Sequence, residues 1–192
     1  VVISASNQNF NKETTTKTGL ETLDVLNGVD LQSEEIAWIT GSDVNFCAQA
    51  FPTVGYDHPD APILTVLGAV LRNGFLHSAI REKGGAYGSG AQQDSASRSF
   101  RFFSYRDPNC KDTFNAFNES IEWSLKSINS EKLEEGILGV ISSIDKPGSP
   151  AGEARADFNQ NIRGIDQSKR KIFRNRVINC SVERLVEVSN KY

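Results

Sequence analysis

The chain has 192 residues, of which 24 are acidic and 21 are basic, so its formal net charge is −3. A charge this close to balance gives no electrostatic reason to expect a nucleic-acid partner, and no apolar run approaches the roughly 20 residues of a membrane-spanning helix. The hydrophobic fraction of 38% argues against a wholly disordered chain.

The first quarter of the chain mixes strand and helix patterns. Val1 to Ser4 is a short strand-like start, and Lys12 to Asn27 has leucines at helical spacing, with Gly28 as a stop signal. Residues 36–51 are typical of a strand pair or of one long bent strand. Pro52 should end this region, because proline cannot donate a hydrogen bond to a sheet ladder.

A helix is predicted to begin near Asp57 to Asp60, with prolines in its first turn. Asn73-Gly74 should interrupt it, and a second short helix should then run to Arg81. Gly84-Gly85 should stop that helix, since glycine can take the positive φ that many helix ends require. The broad apolar face of the first helix consists of Ile63, Leu64, Val66, Leu67, Val70 and Leu71.

Two strands are predicted next, over residues 86–93 and 97–105. In the second strand, Phe100 and Phe102 should point to one face of the sheet, and Arg101 and Phe103 to the other.

From Asp107-Pro108 onward the pattern is helical, broken by a loop at residues 146–150. Apolar stripes mark the helices, and Ser181 can cap the last one. We interpret these stripes as surfaces that pack on a sheet rather than as cofactor sites. Their members are Phe114, Phe117, Ile121, Leu125 and Ile128; Leu133, Ile137, Val140, Ile141 and Ile144; Ala154, Phe158 and Ile162; Ile172, Phe173 and Val177; and Val182, Leu185, Val186 and Val188.

Strands with intervening helices, followed by consecutive helices, indicate an α+β fold with helices packed on one face of a mostly antiparallel sheet. The length suits one αβ domain over residues 1–192. Methionine is absent, even at position 1, so we expect the chain to be a piece of a longer protein. Three widely spaced cysteines, Cys47, Cys110 and Cys180, suit reduced thiols in a reducing compartment, although one disulfide remains possible.

The sequence offers little conventional catalytic chemistry. His58 and His77 are the only histidines, neither lies in a helical zinc-binding motif, and no cysteine pair has zinc spacing. We therefore expect no metal bound wholly by this chain. The glycine-rich stretch from Gly84 to Gly90 is not a phosphate-binding loop. It lacks the lysine of such a loop, and it joins a helix to a strand, whereas phosphate-binding loops usually run from a strand to a helix.

One stretch, Arg81-Glu82-Lys83-Gly84-Gly85-Ala86-Tyr87-Gly88, invites two interpretations. On residue pattern alone it is a basic last helical turn, a glycine cap and the start of a strand. A functional interpretation comes from resemblance to a known family.

Residues 71–90, LRNGFLHSAIREKGGAYGSG, resemble the insulinase/pitrilysin-type zinc peptidases, and the presequence protease branch in particular. The similarity continues at residues 100–109 (FRFFSYRDPN), at residues 143–150 (SIDKPGSP) and over the closing residues 174–192. It covers roughly residues 36–192, and several spaced motifs in the right order make it more specific than one glycine-rich string.

The resemblance implies a protein of four similar αβ domains whose two halves close around an unstructured peptide. The zinc motif lies in the first domain, and this chain looks like the last. Arg81 and Tyr87 match the family's Arg and Tyr, so the resemblance implies catalytic and substrate-binding roles for both. It also implies that Gly84 and Gly85, which shape the turn between them, belong to the substrate-binding residues. Zinc would be bound by the missing N-terminal half, the fragment alone should be inactive, and a bacterial cytoplasm or a mitochondrial matrix would suit it.

Two alternatives stay open. The chain could belong to a non-catalytic scaffold subunit of the same family, similar to processing-peptidase core proteins. It could also be an isolated module that takes up extended peptides along an open strand edge, for which we expect weak binding. Neither alternative requires a nucleic acid or a membrane.

Overall fold

The structure is a computed structural model that describes residues 33–192. Residues 33–40 form no helix or strand, and Trp38 and Ile39 within them are exposed. Residues 41–192 form a compact unit of their own. The predicted strand at Val1 to Ser4 and the predicted helix at Lys12 to Asn27 lie outside the described residues, and the single domain over residues 1–192 stays a prediction.

Three antiparallel strands, β1 (Asn45–Pro52), β2 (Gly88–Asp94) and β3 (Ser99–Asp107), form a sheet in the order β1-β3-β2. The prediction of strand from residue 36 onward is wrong for residues 36–44, which belong to no helix and no paired strand before β1 begins. β3 ends opposite Asn45, so it offers these residues no partner to pair with. Pro52 ends β1 as predicted.

Six helices complete the unit, together with a π-helical segment that continues the first of them. Their bounds are α1 (Ala61–Leu71), the π segment (Arg72–Lys83), α2 (Lys111–Ser127), α3 (Ser130–Ile144), α4 (Pro150–Ile162), α5 (Gln167–Ile178) and α6 (Val182–Lys191). As predicted, Ser181 caps α6, where its hydroxyl accepts the backbone N–H of Arg184.

The predicted break at Asn73-Gly74 is wrong, because one helix runs without a gap from Ala61 to Lys83 and only its winding widens at Arg72. A Cβ on Gly74 would lie 2.4 Å from the Trp123 ring of α2, so this glycine permits close helix packing rather than a break. By length and composition this helix could cross a membrane. Most residues of α1 are buried inside the protein, and half of the most apolar window of the whole helix is buried.

The helices cover one face of the sheet, which confirms the predicted α+β architecture. β3 alternates as predicted: Phe100 and Phe102 are buried beneath the helices, while Arg101 is exposed on the opposite face. α1 lies so close to β2 that a Cβ on Gly68 would come within 2.9 Å of the Ala91 carbonyl oxygen. The other face of the sheet, which carries Phe46 and Tyr105, is not covered by these helices.

One predicted core stripe fails. α4 buries none of its residues, and Phe158 and Ile162 are 65% and 70% exposed. Helical spacing shows that Ala154, Phe158 and Ile162 share one side of the helix, but it contains no information on whether another element reaches that side.

Candidate functional site

The predicted site residues lie around the turn that joins the π segment to β2. The backbone N–H groups of Gly84, Gly85 and Ala86 each donate to carbonyl oxygens of the last helical turns, at 3.1 Å in each case. Gly85 has φ +80°, which L side chains rarely adopt, and Gly84 has an ordinary helical φ of −80°. The glycine stop is therefore confirmed, and Gly85 is the residue that requires positive φ.

Arg81 stands on the last turn of the π segment and is exposed. Its Nη1 lies 3.1 Å from the Nε2 of His77, one helical turn earlier. The other ring nitrogen of His77, Nδ1, lies 3.5 Å from a carboxylate oxygen of Glu82. The contact with His77 therefore uses one terminal nitrogen of a guanidinium that has five N–H donors.

Tyr87 follows the turn directly and is 64% exposed. Its backbone N–H donates to the carbonyl oxygen of Arg106 at 3.3 Å. Its ring packs against Tyr105 at 5.6 Å between centroids, and the Arg106 guanidinium carbon lies 5.7 Å from the ring centre. Arg106 itself has φ +48°. The ring is thus held on two sides while the side chain remains accessible from solvent.

Two glycines of β2 make room for the aromatic side chains of β3. A Cβ on Gly88 would lie 2.4 Å from the Tyr105 ring, and one on Gly90 would lie 2.9 Å from the Phe103 ring. Both rings therefore lie close over the glycines of β2, on the uncovered face of the sheet. The result is an apolar surface that begins beside Tyr87 and continues to Phe46, which is 71% exposed on β1.

The structure places Arg81 and Tyr87 on either side of one turn, as the sequence predicts for Gly84 and Gly85 between them. The side-chain contacts of Arg81 and Tyr87 run to different partners, His77 for the first and Tyr105 and Arg106 for the second. The sequence pattern by itself indicates no part in this site for His77, Tyr105 or Arg106. The alternation of β3 opposite two glycines of β2 was the signal available for Tyr105.

No metal site accompanies this turn in the described part of the chain, and two of its three cysteines are buried. Residues 33–192 contain no group of three or more His, Cys, Asp or Glu side chains that could hold a metal ion. The three cysteines are free. Burial raises the pKa of Cys47 and of Cys180 to about 11 in each case, so both are protonated thiols at neutral pH.

A cavity of about 920 Å³ lies elsewhere, at the opposite end of the strands, between the β2–β3 hairpin and the end of α4. Its lining includes Asp94, Arg98 and Arg163. Because Arg101 of the lining is already paired with Asp94 at 3.0 Å, we assign the cavity no function.

Comparison with known proteins decides the family. The domain family described as "PreP C-terminal domain" matches residues 39–191. The chain belongs to the presequence protease C-terminal domain family. The mitochondrial presequence protease of Danio rerio is 34% identical over 151 residues, which are 78% of this chain and 14% of that protein. The Drosophila melanogaster presequence protease is 37% identical over 151 residues, 77% of this chain and 14% of that protein.

Solved structures confirm the fold. A protease from Helicobacter pylori superposes with a TM-score of 0.69 at 18% identity. The superposition covers 80% of this chain and 39% of the Helicobacter pylori chain. At that identity the likeness concerns the fold alone. The chain spans only about one seventh of the presequence proteases that it matches. Those relatives are named presequence proteases, and the described residues of this chain contain no group of side chains that could hold a metal ion.

Proposed function

We propose that this chain is the last domain of a zinc metalloendopeptidase that degrades unstructured peptides, and that it supplies Arg81 and Tyr87 to an active site completed by the N-terminal half. The observation that carries the proposal is the exposure of both side chains on either side of one hydrogen-bonded turn, in a presequence protease C-terminal domain. The names of the relatives, which are presequence proteases, support a peptide substrate.

The described residues do not fit a zinc ion, because they contain no suitable group of ligands. The zinc of the family would therefore be held elsewhere in the full-length protein. The roles that follow belong only to this chain's own side chains.

Tyr87 is proposed as the donor that stabilises negative charge on the peptide carbonyl oxygen during hydrolysis. A phenol hydroxyl can donate one hydrogen bond to an oxyanion, and a positioned donor of this kind typically contributes about 10²–10³ in rate. Its ring is held by Tyr105 and by the Arg106 guanidinium, while 64% of the side chain remains exposed to an approaching substrate.

Arg81 is proposed to bind a substrate backbone carbonyl close to the cleaved bond. The guanidinium is a rigid fork of N–H donors that stays charged at every relevant pH. Its contact with His77 orients the group without burying it. The hydrogen bonds from Arg81 to the substrate carbonyl would form with the bound substrate as well as with the transition state. Their loss in Arg81→Ala should therefore raise KM.

The proposed site is incomplete in this chain, so closure of the two halves would assemble it, as in other enzymes with closing domains. We expect the isolated chain to be inactive. We also expect it to bind a flexible peptide only weakly, and micromolar binding measured by calorimetry would favour the independent peptide-binding module.

The test uses the full-length protein and a fluorogenic unstructured peptide. Tyr87→Phe should lower kcat by about 10²–10³ with little change in KM, whereas Arg81→Ala should raise KM by about tenfold or more. Matched controls are Tyr56→Phe, whose ring stacks on Phe173 at 4.7 Å, and Lys83→Ala, an exposed basic residue near Arg81. Both controls should cleave the peptide within about twofold of the parent rate.

Unchanged cleavage in both Tyr87→Phe and Arg81→Ala would show that the role assignment is wrong. A full-length protein that cleaves no peptide even with zinc added, and whose upstream sequence lacks the zinc motif, would favour the scaffold alternative. The mitochondrial names of the relatives support a mitochondrial matrix location, which a fluorescent fusion of the full-length protein would test against a bacterial cytoplasm.

A further inference from the structure

The turn that carries Tyr87 is held by a residue outside it. The helix end satisfies the N–H groups of Gly84, Gly85 and Ala86 but not the carbonyl of Gly84. That carbonyl oxygen accepts a hydrogen bond of 2.7 Å from the side-chain amide of Asn109. Asn109 lies 25 residues later, between β3 and α2.

Asn109 is itself fixed by a fully buried carboxylate. Asp107 is 0% exposed, and its Oδ1 accepts the backbone N–H of Asn109 at 2.9 Å. Its Oδ2 accepts the hydroxyl of Thr113 in α2 at 2.7 Å. Both oxygens of a buried charge are therefore used to shape the β3–α2 connection, which makes the position of Asn109 costly to change.

The same chain segment also holds Tyr87 directly. The Arg106 carbonyl oxygen accepts the Tyr87 N–H, and the side chains of Tyr105 and Arg106 border the Tyr87 ring. Residues 105–109 thus grip the turn at two points, at Gly84 through Asn109 and at Tyr87 through Arg106. Between those points lie only Gly85, whose φ is +80°, and buried Ala86.

We infer that Asn109 is a positioning residue for Tyr87: by holding the Gly84 carbonyl it sets the direction in which the chain leaves the helix and so the place of the Tyr87 hydroxyl. The inference rests on the proposed role of Tyr87. Without this hydrogen bond the N–H groups of the turn stay paired with the helix end, but the flexible Gly84-Gly85 pair is held to residues 105–109 only through the Tyr87 N–H.

The kinetic test uses the full-length protein with Asn109→Ala and with Asn109→Asp, which keeps the shape but loses the donor. Each variant should lower kcat by about tenfold with KM within about twofold, the pattern expected for misplacement of a group that acts in the transition state. In a protein that already carries Tyr87→Phe, adding Asn109→Ala should lower kcat by less than a further factor of about two, because the effects of residues that act through one another are not additive.

The matched control is Asn45→Ala. The Asn45 side-chain amide donates to the Asp107 carbonyl oxygen at 3.0 Å. Asn45 therefore hydrogen-bonds to the same segment, residues 105–109, but does not contact the turn. This variant should leave kcat within about twofold. An Asn109→Ala effect that is equally large with Tyr87 and with Phe at position 87 would overturn the inference.

Hydrogen exchange on the 192-residue chain separates this inference from the proposed function. The amides of Gly85 and Ala86 should exchange about tenfold faster in Asn109→Ala and be unchanged in Asn45→Ala. If Tyr87→Phe leaves kcat unchanged, the proposed function fails, yet faster exchange would still show that Asn109 holds the turn. Unchanged exchange in both variants would overturn the inference.

Discussion

The two ends of the long helix that runs from Ala61 to Lys83 are built in opposite ways. At its start, Asp60 is 1% exposed and is closed over by the C-terminal helix: Lys191 Nζ and the Tyr192 hydroxyl donate to its Oδ2 at 2.7 and 2.9 Å, and Arg184 to its Oδ1. At its end, Arg81 and Tyr87 project into solvent. We call the first group the Asp60 clamp.

The difference separates stability from chemistry. In the Asp60 clamp, side chains of the same molecule satisfy the buried charge. In the turn at Gly84 and Gly85, the hydrogen bonds satisfy backbone groups, while the Arg81 and Tyr87 side chains stay exposed, where we propose that they meet a peptide substrate. Variants in the clamp should therefore change stability, whereas side-chain variants at the turn should change activity.

The largest stability effect should come from Asp60→Asn. The amide keeps the size but loses the charge that pairs with Arg184 and Lys191. Both cations are partly exposed and can be rehydrated. We therefore expect the free energy of unfolding to fall by about 2 kcal/mol, which is less than the 3–5 kcal/mol lost when a fully buried ion pair is broken. This corresponds to a fall of roughly 4–8 °C in Tm, measurable by circular dichroism.

Asp57→Asn is a suitable control for that variant, because Asp57 pairs with Lys169 on the surface. It should cost less than about 1 kcal/mol. Equal losses in the two variants would contradict the distinction between a buried clamp and a surface pair.

A smaller effect on stability is expected at the other end of the helix, beside Tyr87, from Gly88→Ala. The added Cβ would stand 2.4 Å from the Tyr105 ring, which must move away from Tyr87. We expect a loss of about 1–2 kcal/mol from overpacking, together with lower activity in the full-length protein. Gly139→Ala in α3 is the control, since nothing lies within 4 Å of its Cβ position and alanine favours a helix.

Chemical denaturation of the two glycine variants would check this pair. Gly139→Ala should leave the free energy of unfolding unchanged or raise it by up to about 1 kcal/mol. A Gly88→Ala protein as stable and as active as its parent would show that the Tyr105 ring does not need the space above β2.

The Asp60 clamp should also give stability a specific pH dependence. Burial raises the pKa of Asp60, but the hydrogen bonds of Lys191 and Tyr192 and the charge of Arg184 outweigh burial and hold that pKa below its usual value. A lowered folded-state pKa contributes stability that is present above the unfolded value of about 3.9 and is lost as the pH falls through the folded value. The Tm gap between parent and Asp60→Asn should therefore narrow below about pH 4; parallel curves from pH 6 to pH 3 would be inconsistent with a charged clamp.

The mildest probe compares the cysteines. Cys110, at the start of α2, is exposed, whereas burial holds the pKa of Cys47 and Cys180 at about 11. A maleimide at pH 7.5 should label one thiol rapidly, and Cys110→Ser should abolish that rapid step. Rapid labelling of a second thiol would show that the structure around Cys47 or Cys180 opens in the native state.

Particular residues show how far the sequence could predict this structure. The two faces of β3 and the helix stop at Gly84-Gly85 were predictable, because alternation and glycine act within a few residues. The break predicted at Asn73-Gly74 was wrong because the Trp123 ring, some fifty residues away, occupies the space that the glycine leaves. The spacing of the apolar residues predicted the stripe of α4, but it could not show that this stripe is exposed.

The sequence by itself determined the α+β pattern, the position of the turn and the side chains, Arg81 and Tyr87, that the turn presents. Only the tertiary structure decided that Asp60 would be enclosed by residues 124 to 132 positions away, and that Asn109 would hold the Gly84 carbonyl. The physical reason is range. Propensity and periodicity act over a few residues, whereas a buried charge or an unpaired carbonyl takes whichever partner the packed fold brings to it.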